Sequence, residues 1–232
     1  MLNGLALLGW NPPHREDPNV LAEGASGFLK HEVLDMSEME QIFNISKVGK
    51  SGVKFEEKKL EFLNAMHIRN LFTYYEEASE KKGCLDMWRD VLLETLPSNL
   101  HSKIRATSDL KMTRVMDMMK TRIHFYSDLL NHTYFWEQPS YDTARGKKFL
   151  RKLHQPDSVK IEILKDLIHL LKVSAGGNVI NAEQVNKICS MYLHENQDRG
   201  FKNEDVFFLL RYAVTGNPVG APTGDICEVI GL

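Results

Sequence analysis

Apolar residues recur at intervals of three and four along most of the chain, with charged residues between them. That is the pattern of helices that bury one stripe and leave the opposite face in water. From Phe55 to Phe72, apolar positions 55, 60, 62, 63, 66, 68, 71 and 72 outline one such stripe and predict a long amphipathic helix. The same spacing predicts helices at about Leu85 to Leu96, Ser108 to Asn131, Tyr141 to Leu153, Asp157 to Val173, Ala182 to Asn196 and Asn203 to Val214. No segment sustains the period-two alternation of a half-buried strand. The expected fold class is all-α.

Helix ends are written in the same stretches. Asn181 followed by Gln184 forms a candidate capping box, because the asparagine oxygen can accept from an otherwise unpaired backbone N–H. Gly176, Gly200 and the Gly216-Asn217-Pro218 run mark stops, since glycine tolerates the left-handed conformation and proline cannot continue a helix. The terminal segment Gly200 to Leu232 therefore reads as helix, glycine-proline turn, helix, with Arg211 expected on an exposed ridge. Pro and Gly punctuate Asn11 to Glu38, read as a surface loop, and Glu137 to Ser140, read as a module boundary. The chain divides on this reading into three blocks, at 1–75, 76–140 and 141–232.

Composition narrows the function classes. With 43% hydrophobic and 26% charged residues, the chain has no disordered-chain signature and can bury a core. A net charge of −2 argues against indiscriminate coating of nucleic acid, yet the basic residues cluster at Lys47 to Arg69, Lys103 to Arg122 and Arg145 to Lys165. Phosphate binding depends on such local patches, whereas the bland alternative is a set of solvated helix faces. Apolar runs such as Ile161 to Val173 are too short or too interrupted to span a bilayer. Cys84, Cys189 and Cys227 are far apart and odd in number, which favours reduced thiols over a disulfide framework or zinc site.

Several chemical signatures fail on spacing. Ile45 to Gly52 resembles a phosphate-binding loop, but Asn44 stands where the first glycine is needed and no Val/Ile-rich strand precedes it. Lys47 to Ser51 is spelled like the lysine-rich loop of class I synthetases, which works only beside a nucleotide-binding parallel sheet. The histidines show no metalloprotease pairing, and Asn196 to Gly200 lacks the alternating acids of a calcium loop. No catalytic residue and no metal ligand is assigned. The aromatics Phe125, Tyr126, Tyr134, Phe135 and Trp136 could stack on bases or simply pack between helices.

Four separated stretches resemble, in order, one family. Leu5 to Trp10 looks like the helix end that follows the catalytic lysine loop of bacterial-type and mitochondrial glutamyl-tRNA synthetases. Phe43 to Phe55, with Lys59 to Asn64 and His67 to Arg69, resembles their stem-contact segment, and Leu210 to Gly216 with Ile226 to Gly231 resembles their last anticodon-binding helices. The resemblance implies a stem-contact segment (1–75) followed by a two-part helical anticodon-binding domain (76–140 and 141–232). It implies a tRNA partner, specifically tRNA-Glu, and a monomer that engages neither DNA nor membrane. The family's ATP-binding catalytic domain has no counterpart in the chain, which is therefore expected to be a C-terminal piece, truncated product or isoform without ligase activity of its own. No cofactor is expected in this chain, ATP and magnesium belonging to the parent enzyme. The mitochondrial matrix is the expected compartment, with a bacterial cytoplasm the alternative.

Residue by residue, Arg211 matches the family arginine that reads an anticodon base, its planar fork being able to donate two parallel hydrogen bonds. Gly220 to Thr223 aligns loosely with the family segment that makes further anticodon contacts, which makes Thr223 a candidate tRNA contact, with Thr223 replacing a usual leucine and Gly224 a usual phenylalanine. Lys47, Lys50, Ser51 and Arg69 are candidates for stem phosphates and riboses, and Arg145, Lys147, Lys148, Arg151 and Lys152 form the densest basic cluster, a further candidate for tRNA contact with a solvated face as the alternative. Two competitors stand beside this reading. A helix-turn-helix DNA binder is disfavoured by the apolar helix around Arg211, and a helical scaffold or protein-interaction domain fits the composition equally well.

Overall fold

A computed structural model of the chain describes residues 2–12, 32–52, 54, 56–77 and 81–231; within these, the side chains of 73–77, 81, 82 and 145 are left aside. The described residues form helices and turns with no strand, so the fold is all-α. The chain divides into two compact units, Met1–Met87 with Ile123–Asp128, and Trp88–Arg122 with Leu129–Leu232.

In the first unit, α1 (Leu2–Ala6), α2 (Met36–Ile42) and α3 (Glu57–Glu77) surround Trp10, Leu34, Leu63, Ile68 and Phe72. The α3 stripe is the one predicted from apolar spacing, although Phe55 lies outside the described residues. Asn3 is buried and joins three elements: its Nδ2 donates to Glu32 O at 3.0 Å, while its Oδ1 accepts from Leu34 N at 3.1 Å and lies 3.0 Å from His67 Nε2. Most of the loop expected at Asn11 to Glu38 is outside the described residues, but its end is helical. Asp35 opens α2 with a complete capping box to Glu38.

The Lys47 to Ser51 stretch is held by two local devices. Asn44 Oδ1 accepts from Ser46 N at 2.9 Å and caps a single 3₁₀ turn, Ile45–Lys47. Gly49 N then donates to Gly9 O at 2.7 Å. The backbone N–H groups of Lys47, Val48 and Gly49 are thus engaged within the fold.

The second unit contains the greater part of α4 (Lys81–Thr95), then α5 (His101–Ala106), α6 (Asp109–Met119), α7 (Ala144–Lys152), α8 (Asp157–Ala175), α9 (Ala182–Glu195), α10 (Leu209–Thr215) and α11 (Thr223–Ile230). Ile163, Leu167, Val185, Cys189, Val206, Leu209, Leu210 and Cys227 form the core among α8 to α11. The Asn181 capping box is present, and Gly176, Gly200 and Gly216 all adopt positive φ at helix or turn ends. All three cysteines are buried, and burial pushes the Cys189 and Cys227 thiols up to about 12.

One expected helix is wrong. The run from Ser108 to Asn131 stops at Met119 and resumes as a 3₁₀ stretch, Tyr126–Phe135. The Asp128 carboxylate accepts from the backbone N–H groups of His124 and Phe125, at 2.8 and 3.0 Å, so a side chain satisfies donors that a continuous helix would have paired internally. Tyr134, Phe135 and Trp136 are buried, the packing alternative of the two held open for them. No helix among the described residues is long and apolar enough to cross a membrane.

Candidate functional site

The terminal helix-turn-helix is positioned by the helix before it and the segment that precedes α7. Thr143 caps α7 through Gly146 N, and Gly146 sits so close to Tyr212 that a β-carbon there would lie 2.7 Å from its ring. Tyr141 Oη donates to Ala213 O at 2.6 Å, and Tyr212 Oη donates to Tyr141 O at 3.0 Å. These reciprocal bonds tie α10 to the 141–143 connection. Its C-terminus is closed by Gly216 at φ 69° and by Thr215, whose oxygen accepts from Asn217 N at 3.0 Å.

Before α10 the chain makes one wider turn, a π-helical segment at Glu204–Phe208. Such an insertion rotates the next stretch of helix away from its regular register and is common at functional sites. Here it precedes the Phe208 and Arg211 pair. The Arg211 guanidinium lies over the Phe208 ring, 5.3 Å from its centroid, within the range of a cation–π contact. Its Nη1 donates a long bond of 3.4 Å to Pro218 O in the following turn. Arg211 is half-buried rather than on an open ridge, and its buried Nε has no hydrogen-bond partner among the described residues.

Tyr134 stands within electrostatic reach of both Arg211 and Arg122. Burial pushes its phenol well above the usual tyrosine range, while the two arginines pull the other way. The Arg211 guanidinium is in turn pushed below its ordinary value, first by burial, with the like charge of Arg122 acting in the same direction. Tyr134 Oη is 3.0 Å from His132 Nδ1, and a β-carbon on Gly220 would lie 3.7 Å from that same oxygen. Two arginines, a buried phenol and the Pro218 to Gly220 backbone thus converge in one place. A half-buried guanidinium such as Arg211, with the like charge of Arg122 nearby, favours an incoming acceptor or anion, because it relieves the repulsion and satisfies the unpartnered donor.

The α7 cations divide between two flanks. Lys148 and Lys152 line an open groove of about 430 Å³ together with Phe149, Leu153, Glu204, Phe208, Pro218 and Val219. That groove shares Phe208 and Pro218 with the Arg211 contacts. Lys147 and Arg151 face a second groove, and Lys147 is ion-paired with Asp142. Residues four apart share a helix face whereas neighbours do not, which explains the split. The Arg145 side chain lies outside the described residues.

Of the other expected contacts, four belong to the first unit. Lys47, Lys50 and Ser51 are exposed on the capped turn of the first unit, and Arg69 is half-buried on α3, its Nη1 3.8 Å from Met66 Sδ. Thr223 requires a correction: its side chain is buried and its hydroxyl donates to Phe207 O at 3.2 Å, so it offers no surface to a ligand. Sequence reading missed Arg122, Tyr134 and Phe208 as members of the cluster. Phe208 had a signal in its spacing, three residues before Arg211 on one helix face. Arg122 and Tyr134 reach the site only through tertiary folding.

The chain is 26% identical to the glutamate–tRNA ligase of Chloroherpeton thalassium, over all of this chain and 40% of that protein. It is 26% identical to the mitochondrial glutamate–tRNA ligase of Saccharomyces cerevisiae, over all of this chain and 38% of that one. It thus spans about two fifths of the length of these curated relatives, corresponding to their C-terminal part. Among solved structures, a glutamate tRNA ligase from Elizabethkingia meningosepticum shares the fold with a TM-score of 0.64 at 21% identity, over 99% of this chain and 38% of that one. The model of the anticodon binding domain family matches residues 85–232, more than half of the sequence, and the chain belongs to that family.

Proposed function

We propose that this chain is the tRNA-binding portion of a glutamate–tRNA ligase and that Arg211 reads an anticodon base of tRNA-Glu. The observation that carries the reading is the setting of Arg211, held by the Phe208 ring and Pro218 O, with Nε unpartnered among the described residues. A guanidinium restrained in advance loses less rotamer freedom when it meets a base edge, and its planar fork selects an acceptor pattern that lysine cannot match. Membership of the anticodon binding domain family supports the same assignment.

Around Arg211 the roles follow from chemistry. Phe208 and Pro218 offer an apolar wall on which a splayed base stacks, and Lys148 and Lys152 meet its phosphates. Arg122 adds a second guanidinium next to Tyr134. Lys47, Lys50, Ser51 and Arg69 contact stem phosphates and riboses, fixing register without reading sequence. Thr223 has no part in the reading, since it is buried. In this assignment residues 1–75 serve the stem, and 76–140 with 141–232 serve the anticodon arm. ATP and magnesium act in the activation step of the whole ligase and meet no residue named here. The chain works as a monomer in a mitochondrial matrix or a bacterial cytoplasm.

The test is a filter-binding titration of the chain against a tRNA-Glu transcript and an anticodon-swapped transcript across a salt series. The expected result is an affinity that falls linearly on a log–log plot against salt and drops when the anticodon is exchanged. Absence of binding at low salt, or equal affinity for both transcripts, refutes the proposal and returns the chain to the helical-scaffold reading.

A further inference from the structure

The outer face of α8 is unlike a solvated helix face. Its inner side is taken up by Ile163, Leu167 and Leu171, all buried. On the outer side Ile161 and Ile168 remain 54% and 46% exposed, at seven-residue spacing. Between and beyond them on the same stripe lie Lys165 and Lys172, both exposed and without an ion-pair partner among the described residues. Residues 161, 165, 168 and 172 are spaced by four, three and four, so they form one row about 16 Å long at 1.5 Å per residue.

This row continues into a concavity. Ile161 and Leu164 form part of an open groove of about 710 Å³, which α7 walls with Leu150 and Arg151 and α10 floors with Leu209 and Tyr212. Arg151 at its rim is exposed and has no ion-pair partner among the described residues, whereas the carboxylates of α8 are already engaged. Asp157 binds Lys160, Glu162 binds Arg199, and Asp166 accepts from Tyr192 Oη.

We infer that the outer row of α8 and the groove at its first turns dock an amphipathic helix of a partner protein, apolar on one stripe and acidic on its flanks. Two isoleucines seven residues apart beside a half-buried leucine present the seam that an apolar helical stripe fills, as in helix-in-groove recognition. Arg151, Lys165 and Lys172 border that seam with unmatched positive charge, which selects glutamate or aspartate flanks and rejects lysine. The apolar floor favours a protein over a phosphate backbone, for which exposed isoleucines give no attraction.

The docking face is separate from RNA reading by Arg211 and is tested separately. The probe is a labelled synthetic helix of about three heptads, leucine at a and d and glutamate at e and g, titrated against the chain by fluorescence anisotropy. The expected result is saturable binding, weakened at least about tenfold in the Ile161→Asp/Ile168→Asp variant and unchanged in Val173→Asp, on the other side of α8. Circular dichroism and melting of these surface variants serve as folding controls. A Lys165→Glu/Lys172→Glu variant is expected to lose the acidic helix and to gain its lysine-flanked counterpart. The inference is overturned if the acidic helix fails to saturate, or if the isoleucine variant binds it as the parent does. It is equally overturned if a tRNA transcript displaces the helix, which marks an RNA face, or if the chain self-associates through Ile161 and Ile168 in sedimentation, which marks a second copy as the occupant.

Discussion

The Arg211 site and the Lys47 to Ser51 turn are both cationic, yet they are built in opposite ways. In the second unit the guanidinium is half-buried and held by Phe208 and Pro218 O. In the first unit the backbone is fixed by Asn44 and by Gly9 O, while Lys47, Lys50 and Ser51 stand exposed. Restraint of the side chain suits a contact that must distinguish one base edge from another. A restrained backbone carrying long free lysines suits phosphates, whose spacing varies little with sequence and whose attraction is long-ranged. Local structure thus differs between the two in the way that the proposed roles, reading for Arg211 and gripping for Lys47 to Ser51, require, although both are written in the sequence as basic residues.

The largest effect should come from breaking the turn behind the reading site. Gly216 has φ 69°, and a β-carbon there would overlap the Ser140 carbonyl oxygen and press on Pro139. Left-handed strain of about 1–2 kcal/mol adds to overpacking of about 1–3 kcal/mol. Gly216→Ala is therefore expected to destabilise the chain by about 2–5 kcal/mol, read as a lower denaturation midpoint at unchanged slope. Discrimination between transcripts should fall with it. A midpoint equal to the parent's would show that the turn tolerates a side chain and that the Arg211 site is less rigid than its contacts indicate.

Next in size is Arg211 itself. Arg211→Ala should weaken the cognate transcript by about 1–3 kcal/mol and bring it close to the anticodon-swapped one. Arg211→Lys sharpens the contrast, because it keeps the charge and removes the planar fork. It should preserve the salt slope yet lose most of the discrimination. If lysine restored both, Arg211 would be a gripping residue like Lys47, and the distinction between the two regions would collapse.

How much of this was legible beforehand depends on the range of the interaction. Amphipathic periodicity and local caps fixed α3, α7, α8 and α9 to within a few residues, because burial of one stripe and the Asn181 box act within each element. The break after Met119 was hidden, since Ile123 and Leu129 continue an apolar rhythm while the Asp128 carboxylate takes over the donors of His124 and Phe125. The π turn at Glu204–Phe208 was equally silent, one extra residue per turn leaving the composition unchanged. Arg211 was found through its neighbours in sequence, but the bond it makes to Pro218 O and its electrostatic link to Tyr134 arise only in the fold. The division of Lys147 and Arg151 from Lys148 and Lys152 needed only helical geometry.

The smallest effects belong to the gripping turn, and they are where the comparison is most exposed. Lys47→Ala and Lys50→Ala should each lower the magnitude of the log–log salt slope by about 0.9 where the lysine meets a duplex phosphate, with equal losses for cognate and swapped transcripts. Gly52→Ala should do less still. A β-carbon at Gly52 meets nothing within 4 Å, against the overlap at Gly216. The same substitution should then change stability by no more than about 0.5 kcal/mol and leave the salt slope alone, since it adds one methyl group in open space. A denaturation midpoint for Gly52→Ala displaced as far as that of Gly216→Ala would mean that this turn is packed rather than open. Its lysines would then be held in place, and the first unit would be a second reading site.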